Sequence, residues 1–299
     1  MSANVTTDEV PRGVIRDQGY QKYTGEFHPE GSRWGLIASR MLRMTARQPW
    51  VTAMLIIAIF PTLIWGAWTY FQSRLHAAGM PVPLPDAYVF EVCIKPYGML
   101  LIAFLTAMFA GAGAIADDVR GGASLFYFAR PVEKIDYLIG KVLPPLVLVT
   151  LIIVVPAVVV AAVRAAMSTT GEEVTAGLLL VLKAIAFGVT ESLVLTLPVV
   201  ALSSVARSRG FVQGGYAAAF ALPWIVGAIF VNVMRSPWPD VLSLPAHLQA
   251  VGVPLFGITP DPTAHLMPWW FSAGFIVAVI IASLGIIRRQ LGRMEVMGS

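Results

Sequence analysis

Residues 142–163 read VLPPLVLVTLIIVVPAVVVAAV, an unbroken apolar run that contains no charged side chain. A helix needs about 20 such residues to cross the hydrocarbon core of a bilayer. No water is available there to bond the backbone N–H and C=O groups, so a spanning segment of this kind has to be helical. The stretch therefore predicts a transmembrane helix, and it decides the fold class of the chain.

The rest of the chain has the same character. Of its 299 residues, 57% are hydrophobic and only 13% are charged, whereas soluble domains carry about a quarter charged residues. Five further apolar runs are long enough to cross a membrane, which predicts an all-α integral membrane protein with six transmembrane helices in one domain, residues 50–299. The six predicted spans are residues 51–71, 96–116, 142–163, 176–203, 211–234 and 269–287.

Lysine and arginine are distributed unequally between the two sides of the predicted bundle. The N-terminal segment, the loops after spans two and four and the C-terminal tail together carry 16, and the opposite side carries three. Positively charged loops stay in the cytoplasm, so both termini are predicted to be cytoplasmic in a multi-pass protein of the plasma membrane, the bacterial inner membrane. The net charge of +4 follows from this topology and does not indicate nucleic-acid binding.

Residues 1–49 are predicted to be a cytoplasmic tail that ends in an amphipathic helix on the membrane surface. At 100° per residue, residues 33–48 gather four arginines on one narrow face, namely Arg33, Arg40, Arg43 and Arg47. Apolar side chains such as Trp34, Ala38 and Met41 lie roughly opposite, as in helices that bury one face among lipid headgroups. The alternative is a cytoplasmic extension of the first span.

The outer loop, residues 235–268, contains seven prolines but remains fairly apolar, as in LSLPAHLQAVGVPLFGI at 242–258. It is too interrupted for two further spans. We expect short re-entrant helices that dip into the outer leaflet, covered at their ends by protein. The alternative is a folded external loop without membrane contact.

Glu191 lies near the middle of the fourth predicted span, beside Thr190. A carboxylate at that depth costs at least about 2.5 kcal/mol unless it is paired, hydrated or protonated. Lys183 is on the same span but about 12 Å away along the axis, at 1.5 Å per residue. Glu191 is therefore predicted to face a water-filled path, a subunit interface or a cation on another span. The three residues together are predicted to mark a translocation path or an interface.

Signatures of an enzyme are weak in this chain. The only Gly-Lys pair, Gly140-Lys141, is followed by Val142 and lacks the first glycine of a P-loop, so the chain is not expected to hydrolyse ATP. The alternative is a membrane-embedded enzyme with a zinc site in the outer loop, since two histidines and two aspartates occur there: Asp240, His247, Asp261 and His265.

The loop between spans two and three is more distinctive. Residues 117–141 read DDVRGGASLFYFARPVEKIDYLIGK, with an acidic pair, two glycines, an apolar-aromatic segment and an Arg-Pro turn. The residue before a proline is disfavoured in helical geometry, so a new amphipathic helix is expected to begin near Val132 and to run into span three. Aromatic side chains exposed on such a loop need to be covered, either by the membrane surface or by a partner protein.

This loop resembles that of the permease subunits of ABC-2-type ABC transporters. These carry an acidic residue, Gly-Thr, an apolar run, Arg-Pro or Ser-Pro, and a closing Gly-Lys between spans two and three. Asp118, Gly122, Arg130-Pro131 and Gly140-Lys141 occupy those places, while Ala123 stands for the threonine and Arg120 for a second acid. The six spans, the amphipathic helix and the apolar outer loop are also similar to that family.

The resemblance implies a coupling helix in this loop, which docks in a groove of a separate ATP-hydrolysing subunit. It also implies that two ATPase subunits, which hold ATP and Mg, assemble with two permease copies in the bilayer to form an exporter, and that this chain has no cofactor of its own. A non-transporting anchor or assembly factor on the same fold is the remaining alternative. The implied coupling residues are Asp118, Arg120, Gly122, Phe126, Phe128, Arg130, Pro131, Lys134, Gly140 and Lys141.

Overall fold

The helices follow the apolar runs of the sequence. A computed structural model describes residues 33–81, 99–122, 133–168, 170–206, 208–259 and 265–296, together with positions 89 and 92. Every regular element in these ranges is helical, and six helices among them are long and apolar enough to cross a membrane. The predicted all-α fold with six spans is therefore confirmed.

The helices within these ranges lengthen most of the predicted spans at one or both ends. In chain order they are α1 (Arg33–Ala46), α2 (Pro49–Ala77), α3 (Met99–Gly111), α4 (Ala116–Arg120), α5 (Lys134–Ala166), α6 (Gly171–Val205), α7 (Arg209–Met234), a 3₁₀ turn (Trp238–Asp240), α8 (Leu244–Phe256) and α9 (Trp269–Val296). The first span is α2, the second is α3 with α4, and the third to sixth are α5, α6, α7 and α9.

The helices α5 and α6 form the centre of the bundle. They pack along each other, and α3 fits against both of them, so that most of its side chains are buried. The helices α2 and α7 leave most of their apolar side chains exposed. Because lipid tails are as apolar as these side chains, such surfaces need no protein cover in a membrane.

Two predicted helix starts are confirmed. The amphipathic segment is a separate helix, α1, and Pro49 is the first residue of the next helix, where a missing N–H costs nothing. The third span begins at Lys134, eight residues before the apolar run, as expected for an amphipathic helix that continues into it. The outer loop contains the helix α8, and its entry into the outer leaflet stays a prediction.

A break in the second span was not expected from the sequence. The helix ends at Gly111 and resumes at Ala116, and only some backbone groups there keep regular helical bonds, such as the amide of Ala112 to the carbonyl of Met108 at 3.2 Å. Ser203 of α6 bonds to three of these groups. Its hydroxyl accepts from the amides of Ile115 and Ala116, both at 3.0 Å, and donates to the carbonyl of Ala112 at 2.8 Å.

Replacing Ser203 with alanine removes these three buried hydrogen bonds at once. Each backbone group left unpaired costs about 1–3 kcal/mol, so Ser203→Ala should lower the unfolding temperature in detergent by roughly 5 °C or more. Tryptophan fluorescence during heating measures this change. The control is Ser204→Ala, because within the described residues the hydroxyl of Ser204 bonds to the carbonyl of Ala201 in its own helix and to no other helix. Equal unfolding temperatures of the two variants would refute the role of Ser203.

Candidate functional site at the base of the loop between spans two and three

An ion pair joins the two ends of the loop 117–141. The ammonium of Lys141 on α5 lies 2.6 Å from Oδ2 of Asp118 on α4. The hydroxyl of Tyr137, one turn before Lys141, donates to the same oxygen at 2.8 Å. Lys141 is only 7% exposed and Tyr137 is fully buried. The loop therefore has a fixed, closed base, whatever its tip contacts.

Gly140, next to this lysine, sets how closely α1 approaches α5. A Cβ at position 140 would lie 2.7 Å from Cβ and Cγ2 of Ile37, and 3.3 Å from the carbonyl oxygen of Trp34. Any side chain larger than hydrogen would push α1 away. The Gly-Lys pair thus holds two elements against the third span: the glycine admits α1, and the lysine binds α4.

An open cleft of about 870 Å³ lies beside the ion pair. One wall is the face of α1 that carries Arg40, Met41 and Met44, and another is formed around the break in the second span. We call it the cytoplasmic cleft, because the loop 117–141 is predicted to lie on the cytoplasmic side. Its lining residues are Ile37, Arg40, Met41, Met44, Thr45, Gln48, Trp50, Phe109, Gly113, Ala114, Asp117, Asp118, Lys141 and Arg209.

Glu191 is fully buried in the middle of α6, and neither carboxyl oxygen has a hydrogen-bond partner among the described residues. One turn toward Gly171, the ring of Phe187 meets that of Phe256 of α8 edge to face, with centroids 5.7 Å apart. One turn the other way, the hydroxyl of Tyr216 donates to the carbonyl of Leu195 at 2.7 Å. Glu191 thus lies between two contacts that join α6 to its neighbours.

Comparison with known families agrees with this arrangement. A family model described as ABC-2 family transporter protein matches residues 13–293. The chain belongs to the ABC-2 transporter family. It is thus a permease of an ABC transporter and a multi-pass integral membrane protein. A search of curated proteins gives no match.

The residues expected to couple this permease to an ATPase fall into three groups. Asp118, Gly140 and Lys141 come together at the base of the loop, as described above. Arg120 ends α4 and is exposed, Lys134 begins α5 and is exposed, and Gly122 has φ +66°, a conformation that glycine adopts readily. The rest of the expected set, Phe126, Phe128, Arg130 and Pro131, lies outside the described residues.

The three residues expected on a path through the permease are not joined directly. Thr190 is partly exposed, and its hydroxyl bonds to the carbonyl of Ala186 in its own helix at 2.8 Å. Lys183 is also partly exposed, and the described residues contain no ion pair between it and Glu191. Because Glu191 is inside the single chain, contact with a second copy would require the surrounding helices to separate.

His247 of the outer loop forms hydrogen bonds with other residues of the chain. The ring of His247 is buried, with Nδ1 3.0 Å from the hydroxyl of Ser272 and Nε2 2.9 Å from the carbonyl of Val241. It stacks on Phe275, with centroids 4.0 Å apart. Both ring nitrogens therefore have partners in α9 and in the segment before α8.

The candidate zinc ligands of the enzyme alternative do not form a cluster within the described residues. Asp261 lies outside the described residues. Within the described ranges, no group of three or more His, Cys, Asp or Glu side chains is placed to hold a metal ion. His247 uses both nitrogens to dock α8, so no observation favours the enzyme alternative.

Three residues of the site are not among those predicted from the sequence. Tyr137 could have been found, because its i, i+4 spacing to Lys141 places the two on one helix face. Asp117 ends the second predicted span and lines the cytoplasmic cleft. No sequence signal indicates that Arg209, 92 residues later, lines the same cleft.

Removing Lys141 should be worse than removing both charges of the pair. Lys141→Met leaves Asp118 as an uncompensated, mostly buried charge, which costs about 3 kcal/mol or more. The double variant Asp118→Asn/Lys141→Met removes that charge as well, so it should recover most of the loss. Unfolding in detergent, analysed as a double-mutant cycle, measures the coupling. Lys134→Met, at an exposed site on the same helix, is the control; a double variant no better than Lys141→Met would contradict the pair.

Docking of α8 should weaken in acid. Burial lowers the pKa of the His247 imidazole, and the hydrogen bond to the Val241 carbonyl opposes this only in part. In the unfolded chain the imidazole has a pKa of about 6.5. The neutral ring therefore contributes its full stabilisation of the folded protein above about pH 6.5. This contribution is lost as the pH falls through the lower pKa of the folded state. The unfolding temperature of the parent should fall more steeply below about pH 6.5 than that of His247→Gln. Parallel pH profiles of the parent and His247→Gln would contradict this role of His247.

Proposed function

We propose that this permease forms the translocation path of an exporter, driven by a separate ATP-hydrolysing subunit that docks on the loop 117–141. The observation that carries the proposal is the ion pair between Lys141 and Asp118 at the base of the loop. A force on the loop would act on α4 and α5 together, because their ends are held by that pair. Through Gly140 the same movement would reach α1.

ATP and Mg belong to the partner in this proposal, and the chain itself is neither an enzyme nor a cofactor protein. The sequence has no P-loop. Its single Gly-Lys pair has another use, since Gly140 packs on α1 and Lys141 binds Asp118. Family membership supports two ATPase subunits and a second permease copy as partners.

The permease would lie in a bacterial inner membrane with both termini in the cytoplasm. The six spans and the excess of Lys and Arg on one side support this orientation. On the outer side, α8 would dip into the membrane as a re-entrant helix. Support comes from the contact between Phe256 and Phe187, which is about 24 Å along α6 from its start at Gly171.

Glu191 would line the path in the state that opens toward substrate. A carboxylate without a partner is costly inside a protein, so its presence at this depth needs a compensating use. It lies one turn from the contact between α6 and α8. Movement of α8 relative to α6 would therefore be the change that exposes it.

The loop tip is expected to carry the binding energy for the ATPase. Phe126 and Phe128 are two residues apart, about 200° around a helix, so only one of them can point into a groove. Loss of a buried interface aromatic costs about 2 kcal/mol or more, roughly thirtyfold in affinity. One of Phe126→Ala and Phe128→Ala, but not both, should release the ATPase in a pull-down from detergent.

Two further variants sharpen this experiment. Phe211→Ala changes a phenylalanine that is 70% exposed at the start of α7 and should leave binding unchanged. Glu191→Gln should keep the ATPase bound but reduce transport and substrate-stimulated hydrolysis in vesicles. If neither loop variant alters binding, the loop is only a connection and the docking proposal fails. Bound ATPase without any stimulation in the parent would instead indicate a non-transporting anchor.

A further inference from the structure

The aromatic residues of the cytoplasmic cleft indicate that it lies at the depth of lipid headgroups. Trp50 at the start of the first span and Phe109 near the break in the second both line it, and their rings are 5.6 Å apart. The neighbouring Val51 and Ala110 are already in the apolar core. Aromatic side chains mark the membrane–water interface in this way. The cleft is therefore within reach of phospholipids in the adjacent leaflet.

The charged side chains of the cleft differ in whether they have a partner of opposite charge within the described residues. Lys141 and Asp118 neutralise each other. Arg40 and Arg209 also line the cleft, and the described residues contain no acidic partner for either of them. Arg209 donates one hydrogen bond, from Nη2 to the carbonyl of Phe109 at 2.8 Å, which leaves further donors on its guanidinium.

A negative charge accompanies these two arginines. Asp117 lines the same cleft, and no ion pair to it occurs within the described residues. Asp117 and Arg209 both border Gly113, where an added Cβ would contact Oδ2 of the aspartate and lie 3.6 Å from Cδ of the arginine. Besides the ion pair, the cleft therefore presents two cations and one anion. The carboxylate of Asp117 would repel a ligand that carries only negative charge.

Apolar side chains complete the lining. Met41 and Met44 of α1 contribute to one wall, and Met44 is 61% exposed. Such flexible, polarizable side chains adapt to chains of variable shape. A ligand that matches every wall has a phosphate, a nearby ammonium and a hydrocarbon portion.

We infer that the cytoplasmic cleft binds an aminophospholipid, with its phosphate on Arg40 and Arg209 and its ammonium on Asp117. The hydrocarbon portion lies against Met41, Met44 and Trp50. A bound lipid would join α1 to the broken second span and to the start of α7. This inference depends on the membrane setting of the cleft and not on ATPase docking, so the two can fail separately.

The first test compares three phospholipids on the delipidated full chain in detergent. Phosphatidylethanolamine has both groups, phosphatidylcholine has a quaternary ammonium without N–H donors, and phosphatidylglycerol has no amine. Native mass spectrometry and the unfolding temperature at increasing lipid concentration measure binding. Phosphatidylethanolamine should bind about tenfold more tightly than either other lipid, as expected for loss of one charge-assisted hydrogen bond. Equal binding of all three, or tightest binding of phosphatidylglycerol, would overturn the inference.

The second test uses variants of the lining. Arg40→Gln and Arg209→Gln should each weaken phosphatidylethanolamine about tenfold, and Asp117→Asn should reduce it to the level of phosphatidylcholine. Arg43→Gln, an exposed change on α1 that does not line the cleft, is the matched control and should bind as the parent does. If the arginine variants lose ATPase binding but keep the lipid, the cleft is a protein contact and the inference is wrong. The comparison of lipids on the parent decides the matter even where a variant fails to fold.

Discussion

A peptide group in the hydrocarbon core of a membrane has no water to bond, and the architecture of this permease follows from that constraint. Five of the six spans satisfy it with unbroken helices. The second span does not, because its helix stops at Gly111 and resumes at Ala116. The hydroxyl of Ser203 bonds to groups on the break from a different helix. The non-helical segment is thus bonded to α6 on one side, and on the other side its residues Gly113 and Ala114 line the cytoplasmic cleft.

The same reasoning explains why the Gly-Lys pair is used as it is. An ammonium at the membrane edge has to be hydrated, paired or moved to the surface. Lys141 is paired with Asp118 and lies 5.7 Å from the centre of the Tyr137 ring. A buried ion pair adds little net stability compared with apolar packing, but it is costly to separate. Its value here is positional, since it holds the end of the second span to the start of the third while Gly140 holds α1.

Local patterns in the sequence were enough to predict the helices. Apolar runs gave the six spans, and the arginine spacing of residues 33–48 gave α1, because each depends on residues close in the chain. The contacts that build the site depend on distant residues. Ser203 follows Ile115 by 88 positions, and nothing in the run around it indicates which backbone it bonds. Asp118 and Lys141 match residue types in the loop motif of the family, but the motif does not indicate that the two side chains bind each other.

Polar side chains inside the bundle differ in whether they have hydrogen-bond partners among the described residues. Those with partners hold helices together, whereas one without a partner favours a different arrangement. Ser203, Lys141 and Tyr137 all have partners, so they hold helices in one arrangement. Among the described residues Glu191 is the only acidic side chain that is fully buried, and its oxygens have no partner. A group that gains nothing from the present arrangement gains from another in which water or a cation reaches it. That gain would offset part of the cost of moving α8 away from α6, which is why we propose that the permease opens at the middle of α6.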